Sequence, residues 1–245
     1  MWERILAEVR VVLVEPAGPL NVGAIARGMK NFGLQQLVLV NPQCDPLSAE
    51  AKLMAVHAAD ILETAQVMAT LPEALQGCQR AIATTARVRT LSSVLEYPRT
   101  ALPWLITQPS QAAALIFGPE YRGLSNEELN YAQRFVRIPS SPNYPSLNLA
   151  SAVAICCYEL SICAQEGLLS AEPTASTGDY ASLDVLEGYY QQLEALLLKI
   201  GYLYPHTAAS RMEKFRHLFN RSQLKNAEVA MLRGILTQME WALSV

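Results

Sequence analysis

Short, uninterrupted apolar runs that alternate with helical segments constrain the fold of this chain more than any other feature of its sequence. An apolar run without polar alternation is typical of a strand that is buried on both faces of a sheet. Five such runs predict strands at residues 9–14, 37–40, 80–84, 112–117 and 135–138. Because strands that alternate with helices favour a parallel sheet with helices on both faces, we predict an α/β fold.

Helix signals fill the intervals between these strands. The predicted helices cover residues 22–33, 47–58, 71–75 and 149–163, and a short one follows Ser125. Residue types that cap helix starts precede them: Asn21, Asp45 before Pro46, Ser125 in a capping box with Glu128, and the pair Ser146 and Asn148. The chain therefore has both halves of a repeating strand and helix pattern.

The last third of the chain has a different character. Residues 166–182 are rich in Pro, Gly, Ser, Thr and acidic residues, which is typical of a linker. Three amphipathic helices are predicted beyond it, at 183–200, 210–220 and 225–243. We therefore predict an α/β domain over 1–165, a linker over 166–182 and a small all-α C-terminal appendage over 183–245.

Composition bounds the class of protein. Half of the residues (51%) are hydrophobic, so the chain can bury a core, and Glu159 interrupts its longest apolar segment. No signal peptide pattern begins the sequence, so we expect a soluble cytoplasmic protein with no membrane partner. The five cysteines form an odd set without a C-x-x-C pair, which predicts core packing rather than disulfides or zinc.

The charge distribution leaves nucleic acid open as a partner. A formal net charge of −3 argues weakly against it, but no Lys or Arg occurs between Arg137 and Lys199. Basic residues concentrate instead around 80–99 and 211–225. A nearly neutral protein can carry basic patches, and these two segments are the candidates.

Several common site types lack their sequence signatures. Gly23 and Gly28 have the spacing of a phosphate-binding loop, but Met29 and Lys30 stand where that loop needs Lys and Ser or Thr. No G-x-G-x-x-G follows the first strand, no G-x-S-x-G occurs, and the three histidines are scattered. These patterns disfavour a Rossmann cofactor, a Ser-His-Asp site and a metal site.

Three loops at predicted strand ends remain as candidates. The first holds Asn21 and Arg27, and its bland interpretation is a helix cap and a surface arginine. The second, 116–125, places glycines on either side of Glu120, where a ligand could approach the backbone; a tight turn is the alternative. The third, 138–152, is stiffened by three prolines before a helix start, which is either a ligand surface or a capped helix.

Taken in order, these loops resemble the three motifs of the SpoU-type RNA ribose 2′-O-methyltransferases of the SPOUT superfamily. Asn21 and Arg27 are similar to motif one, Phe117-Gly-Pro-Glu-Tyr-Arg-Gly-Leu to motif two, and Ser146-Leu-Asn-Leu-Ala-Ser-Ala-Val to motif three. Within the family the chain is most similar to the TrmJ type, because Thr84-Thr-Ala-Arg87, Leu218-Phe-Asn-Arg221 and Leu232-Arg-Gly-Ile-Leu236 also resemble it. Pro119, Tyr121 and Pro145 depart from the usual pattern.

The resemblance implies a fold and an activity. The fold would include a C-terminal trefoil knot, which sequence reasoning alone would not propose because knots are rare. The activity would be S-adenosylmethionine-dependent methylation of a ribose 2′-hydroxyl in tRNA, at anticodon-loop position 32, on cytidine, uridine or both. The resemblance also implies no metal, and a homodimer with active sites at the subunit interface.

The resemblance assigns roles to individual residues. Arg27 would activate the hydroxyl, and Asn21, Glu120, Ser146 and Asn148 would arrange the catalytic site. The cofactor would be held at Thr84, Thr85, Ala86, Gly118, Ile138, Pro145, Ser146 and Leu147. From the basic segments, the candidate RNA-binding residues are Arg87, Arg89, Arg211, Lys214, Arg216 and Arg221.

Other functions stay open at this point. A non-catalytic RNA-binding paralogue of the same fold is possible, although Arg27, Glu120, Ser146 and Asn148 are intact. A 2′-O-methyltransferase of rRNA would carry the same motifs. A nucleotide-dependent oxidoreductase would lack its glycine fingerprint.

Overall fold

The structure is a computed structural model that describes residues 2–86, 94–108, 111–170 and 179–244. The chain divides into two compact units. The first comprises Met1–Leu75 and Arg80–Ala175, and the second comprises Gln76–Gln79 and Ser176–Val245. The boundaries proposed from sequence, 1–165, 166–182 and 183–245, stay predictions.

A parallel sheet forms the centre of the first unit. Its strands are β1 (Val9–Val14), β2 (Gln36–Val40), β3 (Gln66–Met68), β4 (Arg80–Thr84), β5 (Leu95–Glu96), β6 (Ala113–Phe117) and β7 (Arg134–Val136). In the part of the chain that the structure describes, these seven strands pair in parallel in the order β3-β2-β1-β6-β4-β7-β5. The five strands predicted from sequence are present within two residues at each end. The strands that the sequence missed, β3 and β5, are the short edge strands, which need no long apolar run.

The buried strands explain why the apolar runs are continuous. All five residues of β6 are buried, and so are five of the six residues of β1. Consecutive side chains of a strand point to opposite faces of the sheet. Both faces of the sheet are therefore covered, as expected for an α/β fold.

The helices of the first unit differ from the sequence prediction mainly at their ends. They are α1 (Glu3–Leu6), α2 (Pro19–Asn31), α3 (Ala49–Ala55), α4 (Ala59–Glu63), α5 (Leu71–Ala74), α6 (Pro98–Ala101), a 3₁₀ helix (Leu102–Ile106), α7 (Asn126–Leu129) and α8 (Leu149–Ser170). The predicted Ser125 capping box before α7 is present.

The predicted caps Asn21 and Asp45 were wrong. Gly18 precedes α2, since Pro19 occupies its first turn, and Asn21 lies inside the helix rather than at its cap. The helix predicted over 47–58 is two helices: Ser48 caps α3, and Val56, with φ 54°, ends it before α4. A β-branched residue in the left-handed region cannot continue a helix.

The predicted helix over 149–163 is longer than expected. α8 continues to Ser170, into the segment predicted as linker. Asn148 caps it, as predicted, because its Oδ1 accepts a hydrogen bond from the Ser151 amide at 3.3 Å. In the described residues, only the span Leu149–Gly167 of this helix is long and apolar enough to cross a membrane. Its buried side chains, which include Val153 and Leu160, belong to the core of the first unit.

Three cysteines serve as apolar packing residues, as the sequence predicts. Cys78, Cys156 and Cys157 are fully buried and none forms a disulfide. Burial raises the pKa of Cys156 to about 12, so its thiol stays protonated near neutral pH. Cys44 and Cys163 are partly buried.

The second unit is helical. Its helices are α9 (Leu183–Lys199), α10 (Pro205–Ser222) and α11 (Asn226–Ala242), which lie close to the three predicted positions. Leu186, Tyr190, Met212 and Leu236 contribute to its separate core. The Tyr190 hydroxyl donates to Asn220 Oδ1 at 2.7 Å, which satisfies a buried polar pair.

Candidate active site

The carboxyl ends of four neighbouring strands place the candidate loops along one edge of the sheet. β1, β6, β4 and β7 are adjacent in the sheet order. The loops after them carry motif one, motif two, the segment from Thr84 and motif three. Because parallel strands end at the same edge, side chains far apart in sequence can meet there, and α/β proteins bind their ligands at this edge.

An open cavity lies at this edge. Its empty space, counted out to the open solvent at its mouth, is about 900 Å³. All eight residues predicted to hold a cofactor line it: Thr84, Thr85, Ala86, Gly118, Ile138, Pro145, Ser146 and Leu147. Glu120, Tyr121, Arg122 and Gly123 belong to the same wall. The predicted cofactor residues therefore do meet at one place.

Gly118 makes the motif-two wall possible. A Cβ atom at this position would lie 2.3 Å from the Leu124 amide nitrogen and 2.4 Å from the Gly123 carbonyl carbon. Both are backbone atoms, which cannot move aside as a flexible side chain can. The loop can fold back over Gly118 only because this residue has no side chain.

A chain of hydrogen bonds joins the three motifs beside the cavity. Asn148 Nδ2 donates to Asn21 Oδ1 at 3.0 Å, and Asn21 Nδ2 donates to Glu120 Oε1 at 2.8 Å. The Ala17 amide donates to Glu120 Oε2 at 3.2 Å. Asn21 is separated by 99 residues from Glu120 and by 127 from Asn148, so the fold brings these polar groups together.

Arg27 lies apart from this series of hydrogen bonds. It is an exposed residue of α2, six positions after Asn21, and it is not among the residues that line the cavity. Within the described residues, its guanidinium has no hydrogen-bond or ion-pair partner. The predicted catalytic role of Arg27 stays a prediction.

The proline-rich loop before α8 is held by its own serines. Ser140 Oγ donates to the Pro145 carbonyl at 2.9 Å, and the Tyr144 amide donates to the Ser141 carbonyl at 3.0 Å. Residues 141–148 are exposed, so the loop offers an accessible surface at the cavity. Ser146 lines the cavity but does not cap α8.

Arg122 forms a group of charged contacts that the sequence did not reveal. Its Nη2 lies 2.8 Å from Glu15 Oε2, and Nη1 and Nη2 lie 2.8 Å and 2.9 Å from the two oxygens of Glu128. Hydrogen bonds to Glu128 and Glu15 raise the pKa of Arg122 above its ordinary value against the effect of burial. Burial alone would raise the pKa of Glu128, but hydrogen bonds from Arg122 and the Ser125 amide outweigh it and lower that pKa.

The predicted RNA-binding residues lie in different surroundings. Arg87 and Arg89 are outside the described residues. Lys214 and Arg221 are exposed, and the guanidinium of Arg211 stacks 5.6 Å from the centre of the Tyr202 ring. Arg216 pairs with Glu187, with Nη2 2.9 Å from Oε1, and lies over Tyr190. Its charge is thus partly used within the second unit, whereas the other three face solvent.

The residues described here offer no cluster of three or more His, Cys, Asp and Glu that could hold a metal ion. The expectation that the site works without a metal stays a prediction.

Replacement of Asn148 by alanine is expected to weaken cofactor binding and lower activity. The change removes the contact with Asn21 as well as the cap of α8, and a cap is worth only about 1 kcal/mol, so the fold should survive. Titration calorimetry and turnover measure the two effects. Ser48→Ala, which removes the cap of α3, is the matched control. Unchanged affinity and turnover would make Asn148 a cap only.

Comparison with known proteins gives a family match in each of two parts of the chain. A sequence model described as the SpoU rRNA Methylase family matches residues 8–158. A second, described as the tRNA methyltransferase TrmJ C-terminal domain, matches residues 184–245.

Individual proteins are similar over nearly the full length. The tRNA (cytidine/uridine/adenosine-2′-O-)-methyltransferase TrmJ of Pseudomonas aeruginosa is 42% identical, over 96% of this chain and 95% of the relative. The crystal structure of TrmJ from Z. mobilis ZM4 has a TM-score of 0.84 at 31% identity, over 96% of this chain and 100% of that protein. An AdoMet-bound rRNA methyltransferase from Sinorhizobium meliloti has a TM-score of 0.51 at 27% identity, over 69% of this chain and 61% of its own.

Proposed function

The chain belongs to the SpoU rRNA methylase family, and on that premise we propose that it methylates a ribose 2′-hydroxyl in tRNA. The proposed target is the nucleotide at anticodon-loop position 32. The C-terminal match to the TrmJ domain and the P. aeruginosa relative, which is named a tRNA 2′-O-methyltransferase, support tRNA over rRNA.

One observation carries the proposal. The cavity is lined by all eight residues assigned to the cofactor, and the three family motifs are joined by hydrogen bonds beside it. A surface that only bound RNA would need neither the close backbone packing at Gly118 nor the hydrogen bonds that link Asn148 to Glu120 through Asn21.

We propose S-adenosylmethionine as the cofactor. The cofactor bound in the S. meliloti relative and the cavity lined by the eight assigned residues support this choice. Thr84 to Ala86, Gly118, Ile138 and Pro145 to Leu147 would hold it. When bound, S-adenosylmethionine would supply a methyl group on a positively charged sulfur, and the bond from the methyl carbon to sulfur would break as its bond to the ribose oxygen forms.

The residues of the chain contribute position and charge. Glu120, Asn21 and Asn148 hold the three motif loops in register beside the cavity, since each bridges two of them. Ile138, Leu147 and Leu149 supply apolar surface to the cavity. Arg27 donates to the ribose oxygen as it loses its proton, which passes to a phosphate or water, because a guanidinium keeps its own proton in proteins.

The exposed position of Arg27 supports a site that is completed by a second copy of the chain. We propose a cytoplasmic homodimer in which Arg27 of one protomer serves the cavity of its partner. We also propose that the segment leading to α8 threads a loop to form the trefoil knot of the family.

Methylation of unmodified tRNA with labelled S-adenosylmethionine, followed by nucleoside mapping, tests the function. We expect label in a 2′-O-methylnucleoside at position 32. The mapping should include adenosine as well as cytidine and uridine, because the P. aeruginosa relative is named for all three. Label in rRNA alone, or tRNA binding without transfer, would contradict the proposal. Calorimetry that compares S-adenosylmethionine with NAD separates it from an oxidoreductase.

The exposed cations of α10 are expected to contact the tRNA backbone. The double variant Arg211→Ala and Lys214→Ala should flatten the log-log salt dependence of tRNA binding by up to about one unit per lost phosphate contact. Arg216 is left intact because it pairs with Glu187. Cofactor affinity should stay unchanged, and Lys52→Ala, an exposed cation of α3, is the control. An unaltered salt dependence would mean that these cations of α10 face solvent and do not contact tRNA.

A further inference from the structure

We propose that Arg122 is a positioning residue for the methyl transfer, because its guanidinium fixes the motif-two loop to the segment that leads into motif one. This inference rests on the proposed function. It concerns a residue to which the family resemblance assigns no role.

The contacts of Arg122 reach three parts of the fold. Its guanidinium binds Glu15 directly after β1, both oxygens of Glu128 in α7, and the Gly123 carbonyl at 3.0 Å. The side chain of Arg122 is 30% exposed, and those of Glu15 and Glu128 are 27% and 17% exposed. Ion pairs that are partly shielded from water and bidentate are more rigid than surface pairs.

Glu15 is a constrained anchor for this guanidinium. It has φ 47°, in the left-handed region, and its amide donates to the Val40 carbonyl at 2.8 Å. The hydroxyl of Tyr121 lies 3.2 Å from the same Glu15 Oε2. The chain then passes within four residues to Pro19, the first residue of α2. The position of Glu15 therefore affects where α2, and with it Asn21, begins.

The motif-two loop is thus attached to the segment between β1 and the first turn of α2 through Glu120, Tyr121 and Arg122. Glu120 holds Asn21 and the Ala17 amide, and Arg122 holds Glu15. On the other side, Glu128 accepts from the Ser125 amide and fixes the start of α7. Arg122 itself lines the cavity. The guanidinium is placed to set the distance between motif one and the cavity wall.

Loss of Arg122 would leave Glu15 and Glu128 without the cation between them. The two carboxylates would then repel each other, and the loop would keep only the contacts of Glu120 and the hydrogen bond from Tyr121 to Glu15. A displacement of about 1 Å can cost about 10²-fold in rate when reacting groups must be aligned. The effect should therefore fall on the rate at saturating substrates.

The test compares Arg122→Met with the wild-type chain at saturating tRNA and S-adenosylmethionine. We expect kcat to fall by about 10- to 100-fold while the KM for tRNA stays within about threefold. Arg122→Lys should recover only part of kcat, because an ammonium group cannot bind both carboxylates in the same geometry. Glu15→Gln should also lower kcat, and combined with Arg122→Met it should add less than its separate effect.

Arg134→Met is the matched control. Arg134 pairs with Glu96, its side chain is 27% exposed, and it lies in β7. Its loss should lower Tm about as much as the loss of Arg122 and leave kcat within about twofold, since partly buried ion pairs of this kind contribute similarly. The comparison separates positioning from general stabilisation.

Three outcomes decide the inference. A kcat within twofold of wild type in Arg122→Met, with a Tm loss like that of Arg134→Met, would overturn it and leave Arg122 structural. Additive effects of Glu15→Gln and Arg122→Met on kcat would also overturn it. If Arg122→Met does not fold, a wild-type kcat in both Glu15→Gln and Arg122→Lys would overturn it. A wild-type chain that transfers no methyl group would overturn the proposed function, and the positioning role with it.

Discussion

Replacement of Arg27 by alanine is expected to abolish most of the methyl transfer and to leave the fold intact. Arg27 is exposed on α2 and, in the described part of the chain, has no partner to lose, so Tm should change little. A preorganised donor at a developing negative charge is worth about 10²- to 10³-fold in rate. Single-turnover methylation with saturating tRNA should therefore slow by that factor.

Two variants control this experiment. Arg27→Lys keeps the charge but loses the planar fork, so it should rescue poorly. Lys30→Ala removes another exposed cation of α2, which pairs with Asp60, and should leave the rate unchanged. Near-wild-type single-turnover methylation by Arg27→Ala would reduce Arg27 to a residue that positions substrate at most.

The Arg27 variant also tests the proposed dimer. A chain with Arg27→Ala and a chain with a defective cavity are each inactive alone. If Arg27 serves the partner's cavity, a mixed dimer contains one site with both an intact arginine and an intact cavity. Part of the activity should then return on mixing. No recovery, although mixed dimers form, would place Arg27 and its cavity in the same chain.

Replacement of Gly118 by alanine is expected to have the second largest effect, and its loss should appear in cofactor binding. The added Cβ would lie 2.3 Å from the Leu124 amide nitrogen, so the motif-two loop must open. Overpacking of this kind costs about 1–3 kcal/mol, which corresponds to about 5- to 150-fold in affinity if the cavity carries the cost. Titration calorimetry with S-adenosylmethionine measures the loss.

Gly234→Ala is the matched control for this substitution. Gly234 lies inside α11, and a Cβ there would meet no atom within 4 Å. The same chemical change should stabilise that helix by about 0.5–1 kcal/mol and leave cofactor affinity unchanged. Wild-type affinity in Gly118→Ala would mean that the loop is not the cofactor wall.

Much of the sheet could be predicted because its signal is local. β1, β2, β4, β6 and β7 are buried on both faces, so each requires a continuous apolar run that is visible in the sequence. The Ser125 capping box and the Asn148 cap are also local, since each bond spans three residues. Helix ends were less predictable where a neighbouring residue competed, as Gly18 and Pro19 did with Asn21.

The residues assigned to the cofactor, which line the cavity, were predicted through the resemblance rather than through their own physics. No single residue among Thr84, Gly118 and Leu147 carries a signal for a shared site. Their convergence depends on the order β6-β4-β7, which places strands from different parts of the chain side by side. The order of the strands in the sheet cannot be read from the spacing of the motifs along the sequence.

The sequence by itself determined the α/β class, the positions of five of the seven strands in the described residues, and the residue types available at each loop. Only the tertiary structure decided which of those residues meet. It joined Asn21 to Glu120 and Asn148, and Arg122 to Glu15 across 107 residues, and it left Arg27 exposed. The physical reason is that apolar periodicity depends on near neighbours along the chain, whereas a hydrogen bond or ion pair depends on distances that the packed sheet sets.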